Sequence, residues 1–152
     1  MDPVASMTFC AKPAGIYYRV IDPLPLTSQS ISGGSQGTLE VYWEFRTTAI
    51  VHQYLHDDVQ NLLQVKDWYI PSQAVTTAHW VRMTVTAGSD PNSPGSLLKD
   101  TWYQLSANRQ FGWVRSSAGT TTATVTFEIA TDSGGSNIVG TKSGLVATLT
   151  YT

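Results

Sequence analysis

The sequence predicts an all-β protein, an antiparallel β-sandwich or jelly roll of about eight strands with at most one short helix. Three observations predict it. Two segments alternate apolar and polar residues with period two, Gly/Pro/Ser/Asp/Asn clusters interrupt the chain at short intervals, and no long stretch carries the 3.6-residue period of a helix. The first alternating segment, GTLEVYWEFRT at residues 37–47, sets Leu39, Val41, Trp43 and Phe45 against Glu40, Tyr42, Glu44 and Arg46. The second, TTATVTFEIA at residues 121–130, sets Ala123, Val125, Phe127 and Ile129 against Thr124, Thr126 and Glu128. In each, one side is suited to a core and the other to water or a partner.

Taken in chain order, strands are expected at residues 15–21, 37–47, 66–70, 78–87, 101–105, 110–115, 121–130 and 144–151. Their β-branched and aromatic content supports this. The segments SGGSQ (32–36), SDPNSPGS (89–96), SSAG (116–119) and DSGGSN (132–137) supply the positive φ angles and fixed prolines that reversals need. The last two long strands, joined through DSGGSN, are expected to pair antiparallel. One short helix is expected, capped by Asp57 or Asp58 and running through Val59, Leu62 and Leu63.

At 152 residues the chain suits a single domain, 1–152, and such a domain buries roughly 70% of its unfolded surface. A shift in composition near residues 48–60 marks a candidate internal boundary: Pro13, Pro23 and Pro25 lie before it, and Trp68, Trp80, Trp102 and Trp113 after it.

Hydrophobic residues make up 41% of the chain and charged residues 13%, about half the usual ~25% charged share. A neutral Ser/Thr/Asn/Gln/Gly coat follows, as found on extracellular β-proteins and on closely packed particle subunits, where like-charge fields would oppose association. The net charge of −2 and nine scattered basic residues argue against direct nucleic-acid binding, which needs clustered cations. No apolar run is long enough for a transmembrane helix, and residues 1–13 lack the pattern of a secretory signal. Cys10 is the single cysteine, so no intrachain disulfide forms, and a buried thiol is its expected state.

Catalytic constellations are not legible. No G-x-S-x-G elbow occurs, His79 reads as a hydrogen-bonded strand histidine, and Glu40 and Glu44 lie in the outward register of their strand. The chain is expected not to be an enzyme and to need no cofactor. His52, His56, Asp57 and Asp58 form the one local cluster with metal-ligand chemistry. On a helix the two histidines would share a face, and Asp57 and Asp58 offer oxygen ligands for Ca²⁺, although a capped, solvated turn accounts for both aspartates more simply.

The aromatic residues point to binding. Trp68-Tyr69 and Trp102-Tyr103 are adjacent on predicted strands, so the members of each pair face opposite ways and one ring of each needs an exposed or separately covered position. With Trp113 they form the candidate binding or interface set, because rigid aromatics dominate interface hot spots and stack on sugars.

The segment GTLEVYWEFRT also resembles the last shell-domain strand of coat proteins of small icosahedral RNA viruses of the nodavirus and tombusvirus type. Those strands often read G-x-L-x-V-x-Y/W, matched here by Gly37, Leu39, Val41 and Trp43. The resemblance implies that residues up to about 47 finish a jelly-roll shell and that the remainder is a protruding β-sandwich that pairs on the particle surface and carries receptor-binding surfaces. A complete shell domain does not fit before residue 47 and no basic arm is present. The chain is therefore expected to be either a piece of a longer coat protein or an independent sandwich. The expected role is a structural and recognition module of the virion that forms a homo-oligomer, a dimer or a capsid, and binds a host glycan or protein receptor. The alternative is a carbohydrate-binding module of a secreted or cell-surface protein.

Overall fold

A computed structural model describes residues 16–21 (backbone path only), 28–33, 36–60, 62–88 and 97–152. Ten strands occur among them: β1 (Ile16–Ile21), β2 (Ser28–Gly33), β3 (Leu39–Phe45), β4 (Ile50–Asp57), β5 (Leu62–Tyr69), β6 (Trp80–Gly88), β7 (Tyr103–Gln104), β8 (Arg109–Arg115), β9 (Gly119–Ala130) and β10 (Ile138–Tyr151). They form two five-stranded sheets, β1-β5-β4-β3-β8 and β2-β10-β9-β6-β7. The protein is thus an all-β sandwich. Cys10, loop 89–96 and residues 34–35 of loop 32–36 lie outside the described residues.

Alternation decides which face each strand buries. Leu39, Val41, Trp43 and Phe45 of β3 are fully buried, as are Ala123, Val125, Phe127 and Ile129 of β9. The two sets meet between the sheets. Phe127 has its ring centroid 6.5, 6.3 and 5.9 Å from those of Trp43, Phe45 and Phe111, separations at which aromatic pairs add about 0.5–1.5 kcal/mol each beyond area burial. β9 and β10 pair antiparallel through the 131–137 connection.

No helix occurs among the described residues, which corrects the expectation for residues 57–63. The acid signal is real but belongs to a chain reversal. Asp57 ends β4, and its Oδ1 accepts the backbone N–H groups of Val59 and Gln60, both at 3.0 Å. Those are the i+2 and i+3 donors that a helix cap would take. Here the chain instead turns back into β5. β2 and β4 are strands that the sequence pattern does not predict. β4 is hidden because its inward face carries the buried Gln53 beside Val51 and Leu55, which breaks the apolar alternation.

β4 lies between β3 and β5 in the middle of its sheet, so residues 50–57, within the candidate boundary at 48–60, run through a sheet interior. β3 is likewise hydrogen-bonded to both β4 and β8, which places residues 39–45 in the same sandwich as the chain beyond residue 47. Parallel pairing occurs among the described strands at two places, β1 with β5 and β2 with β10. Both are sheet edges formed by the first part of the chain.

Candidate functional site

The five aromatic residues of the candidate binding or interface set separate into two groups. Trp68 is fully buried and Trp113 is 5% exposed, so both pack in the core and neither presents an open ring face in this chain. Tyr69, the neighbour of Trp68, points outward and is 59% exposed. Tyr103 turns toward the core edge, meeting Phe111 edge-on at 6.0 Å, while its hydroxyl accepts the N–H of Leu98. Trp102 remains half-exposed on the other side.

Around Trp102 lies the richest surface cluster. On β6, Trp80 and Arg82 project from the outer face of the second sheet, both half-buried. Trp80 is in register with Ala130 on β9 and with Gln104 on β7, and Arg82 is in register with Glu128. Arg82 donates from Nε and Nη2 to Glu128 Oε1, at 3.1 and 2.6 Å, and its guanidinium carbon sits 4.7 Å from the centre of the Trp102 ring. A row Glu128–Arg82–Trp102 therefore crosses the sheet. The ion pair is partly solvent-screened, with side-chain exposures of 30% and 16%, and contributes at most about 1 kcal/mol. Its local effect is to fix Arg82 and leave the patch electrically neutral.

The 131–137 loop borders this patch. Asp132 Oδ1 accepts the N–H groups of Gly134 and Ser136, and Oδ2 that of Asn137, each at 3.0 Å. These bonds, led by that of Ser136, hold the Asp132 carboxyl below the usual carboxylate range. They also fix Gly135 at φ +68, against the indole of Trp102. A Cβ at Gly135 would fall 2.3–2.5 Å from three Trp102 ring atoms, so the close approach requires glycine. Sequence reasoning recognises the turn and Trp102 but leaves out Trp80, Arg82 and Glu128. The i, i+2 spacing on β6 is the available signal for the first two; the cross-strand register that adds Glu128 is not legible.

The rest of this outer face is rich in hydroxyls. Thr120 and Thr122 of β9 contact Thr150 and Thr148 of β10 at 3.1 and 3.0 Å, and exposed Ser28, Ser30 and Ser32 of β2 continue the array. The outer face of the first sheet is different. There Glu40 faces His56, with 3.9 Å between Oε2 and Nδ1, and His52 Nδ1 lies 2.8 Å from Asp67 Oδ1. His52 and His56 do share a face, through the period of a strand.

Asp57 and Asp58 do not converge on a common point. Asp58 is exposed, and its two oxygens accept the N–H and hydroxyl of Thr38 at 2.7 and 2.9 Å. Burial pushes its carboxyl up, but the Thr38 donors outweigh this and hold it below its ordinary value. Asp57 is buried, with Oδ1 committed to the turn and Oδ2 enclosed without a hydrogen-bond partner. Three of the four oxygens expected for Ca²⁺ thus accept protein hydrogen bonds, and no group of three or more His, Cys, Asp or Glu suited to a metal occurs among the described residues. His79 precedes β6 and accepts the N–H of Thr76 at Nδ1.

Among the described residues, fold and surface define a β-sandwich whose second sheet has a largely hydroxyl-bearing outer face carrying an aromatic–arginine patch. Comparison with known proteins finds no matching family model, no matching curated protein and no matching solved structure.

Proposed function

We propose that this domain is a structural and recognition module, a coat- or protruding-type β-sandwich of a viral particle that self-associates and presents its aromatic patch to a partner. The observation that carries the recognition half is the Trp80–Arg82–Trp102 cluster. Trp and Arg are the residue types that most often anchor interfaces, and here they stand half-exposed, immobilised by Glu128 and Gly135, on a face with little other charge. Fixing such side chains beforehand removes part of the ordering cost of association. The hydroxyl-rich surroundings suit close subunit packing, because they impose no like-charge repulsion.

The competing reading is a carbohydrate-binding module of a secreted or cell-surface protein. It needs an indole with an open face for a sugar ring. Arg82 already lies over Trp102, which leaves Trp80 as the stacking candidate and favours a protein partner.

Sedimentation velocity over a range of concentrations, combined with a glycan array, separates the two. Concentration-dependent association without glycan binding supports the proposal. A monomer at all concentrations that binds a particular sugar, with quenching lost in Trp80→Ala, overturns it in favour of the lectin reading.

A further inference from the structure

Sheet edges present unpaired N–H and C=O groups, and proteins blunt them with charge, proline, brevity or cover. Two of the four edges formed by the described strands show such a device. β7 is two residues long. β8 carries Arg109 and Arg115 at its ends, and the carbonyl of its Gln110 accepts the N–H of Leu97. β2, with the sequence SQSISG, has no charge, no proline and no bulge in its pairing, and extends for six residues.

Which backbone groups of β2 point away from β10 follows from its parallel pairing with that strand. The carbonyl of Gly33 accepts the N–H of Thr152, one residue beyond its register partner Tyr151. In a parallel ladder both backbone groups of a residue point the same way and alternate along the strand. Gly33, Ile31 and Gln29 therefore bond toward β10, while Ser28, Ser30 and Ser32 direct their N–H and C=O outward. These are also the residues with exposed side chains.

We infer that β2 is a self-pairing edge, through which two copies of this chain join antiparallel about a two-fold axis at Ser30. The strand is nearly symmetric about that residue. The axis sets Ser30 opposite its own copy and Ser28 opposite Ser32, with two backbone hydrogen bonds at each paired position. Gln29 and Ile31 then face one another's copies on the inner side. Every outward pair is serine with serine, so no charge is brought together and small hydroxyls meet across the seam. The contact is isologous and closed, which limits assembly through this edge to a dimer, and it extends the second sheet continuously across both copies. This mode is strand addition, in which main-chain bonds supply the affinity. The inference rests on the self-association reading above and supplies its surface, distinct from the aromatic patch.

The full chain carrying Cys10→Ser and Ser30→Cys tests the axis directly. Hydrogen-bonded antiparallel partners stand about 5.5 Å apart at Cα, within the range a disulfide spans, so mild oxidation is expected to convert the dimer to a covalent one. A control with Cys10→Ser and Thr122→Cys, on an inner strand of the same face, is expected to form no cross-link. Ser30→Pro removes an outward N–H and Ser30→Lys sets two cations at the axis; each is expected to abolish the dimer peak in sedimentation while leaving circular dichroism unchanged. A dimer that survives both substitutions and fails to cross-link overturns the edge inference alone, and its loss in Trp102→Ala would then assign association to the patch. A wild-type chain that stays monomeric at every concentration overturns both the edge and the self-association reading.

Discussion

Trp43 donates its indole N–H to Gln53 Oε1 at 2.6 Å in the centre of the core, and Gln53 in turn donates from Nε2 to Gln29 Oε1 at 2.8 Å. This chain links the middle of the first sheet to the edge strand β2 of the second. Gln53 is wholly buried, so the bond matters mainly through the cost of losing it. Gln53→Leu, close in volume, strands a buried indole N–H, and is expected to cost about 1–3 kcal/mol. Urea unfolding at unchanged slope measures it. Adding Trp43→Phe removes the stranded donor, so the double variant should lose less than the sum of the singles. Simple additivity would show that the bond is not coupled.

Asp57 and Gly33 form a second such pair. A Cβ on Gly33 would lie 2.7 Å from Asp57 Oδ2, and Gly33 sits at φ +145. Because Asp57 is fastened by its turn bonds, it has no room to yield. Gly33→Ala is expected to destabilise the fold by about 1–3 kcal/mol through strain and overlap together. Asp57→Ala, losing both turn bonds, should cost about 1–3 kcal/mol as well. The two effects should overlap, since truncating Asp57 clears the space that the added methyl group needs. Thermal melts of both singles and the double check this; a double variant as unstable as the sum excludes the proposed contact.

The β-strand regions with unbroken alternation, β3 and β9, are readable from sequence because every inward position is apolar. β4 is not. Gln53 occupies an inward position and is satisfied only by Trp43 and Gln29, residues distant in sequence, while the acid at its end imitates a helix cap. The same limit applies to the surface. Adjacency shows that Trp68-Tyr69 and Trp102-Tyr103 must each split, but which ring faces inward depends on register with the neighbouring strands. Trp113 reads as a candidate surface aromatic until β8 is known to pair with β3, which turns it into the core beside Val41. Arg82 and Glu128 lie far apart along the chain and meet only through the β6–β9 register.

Asp132 predicts a local acid response. Its carboxyl is held below the usual aspartate value of about 3.9 by the N–H groups of Ser136, Asn137 and Gly134. A group whose pKa is depressed on folding adds stability above its unfolded pKa and loses it as pH falls through the folded one. The loop should therefore be insensitive to pH through neutrality and open only below about pH 3.9. Amide shifts of Gly134, Ser136 and Asn137 followed by NMR titration report it directly. Asp132→Asn keeps one acceptor oxygen but cannot accept at the second position, so the Asn137 bond should be lost at every pH and the acid transition should vanish. A transition retained in Asp132→Asn would assign the response to another group.

Gly135 tests whether the loop positions the recognition patch. A methyl group at residue 135 would overlap Trp102 atoms including Nε1, and the φ of +68 disfavours a side chain there. The backbone contribution alone is about 1–2 kcal/mol, and displacement of the indole is the further consequence. Arg82 should then lose its ring contact while keeping Glu128, because that salt bridge runs within the sheet. Gly135→Ala is thus expected to shift tryptophan emission, lower the unfolding midpoint modestly and weaken partner binding nearly as much as Trp102→Ala does. Glu128→Gln, which loosens Arg82 without moving the loop, should weaken binding less. Were Gly135→Ala to bind its partner like the wild type despite a shifted emission, the placement of Trp102 by the loop would be irrelevant to recognition, and Trp80 with Arg82 would remain as the contact.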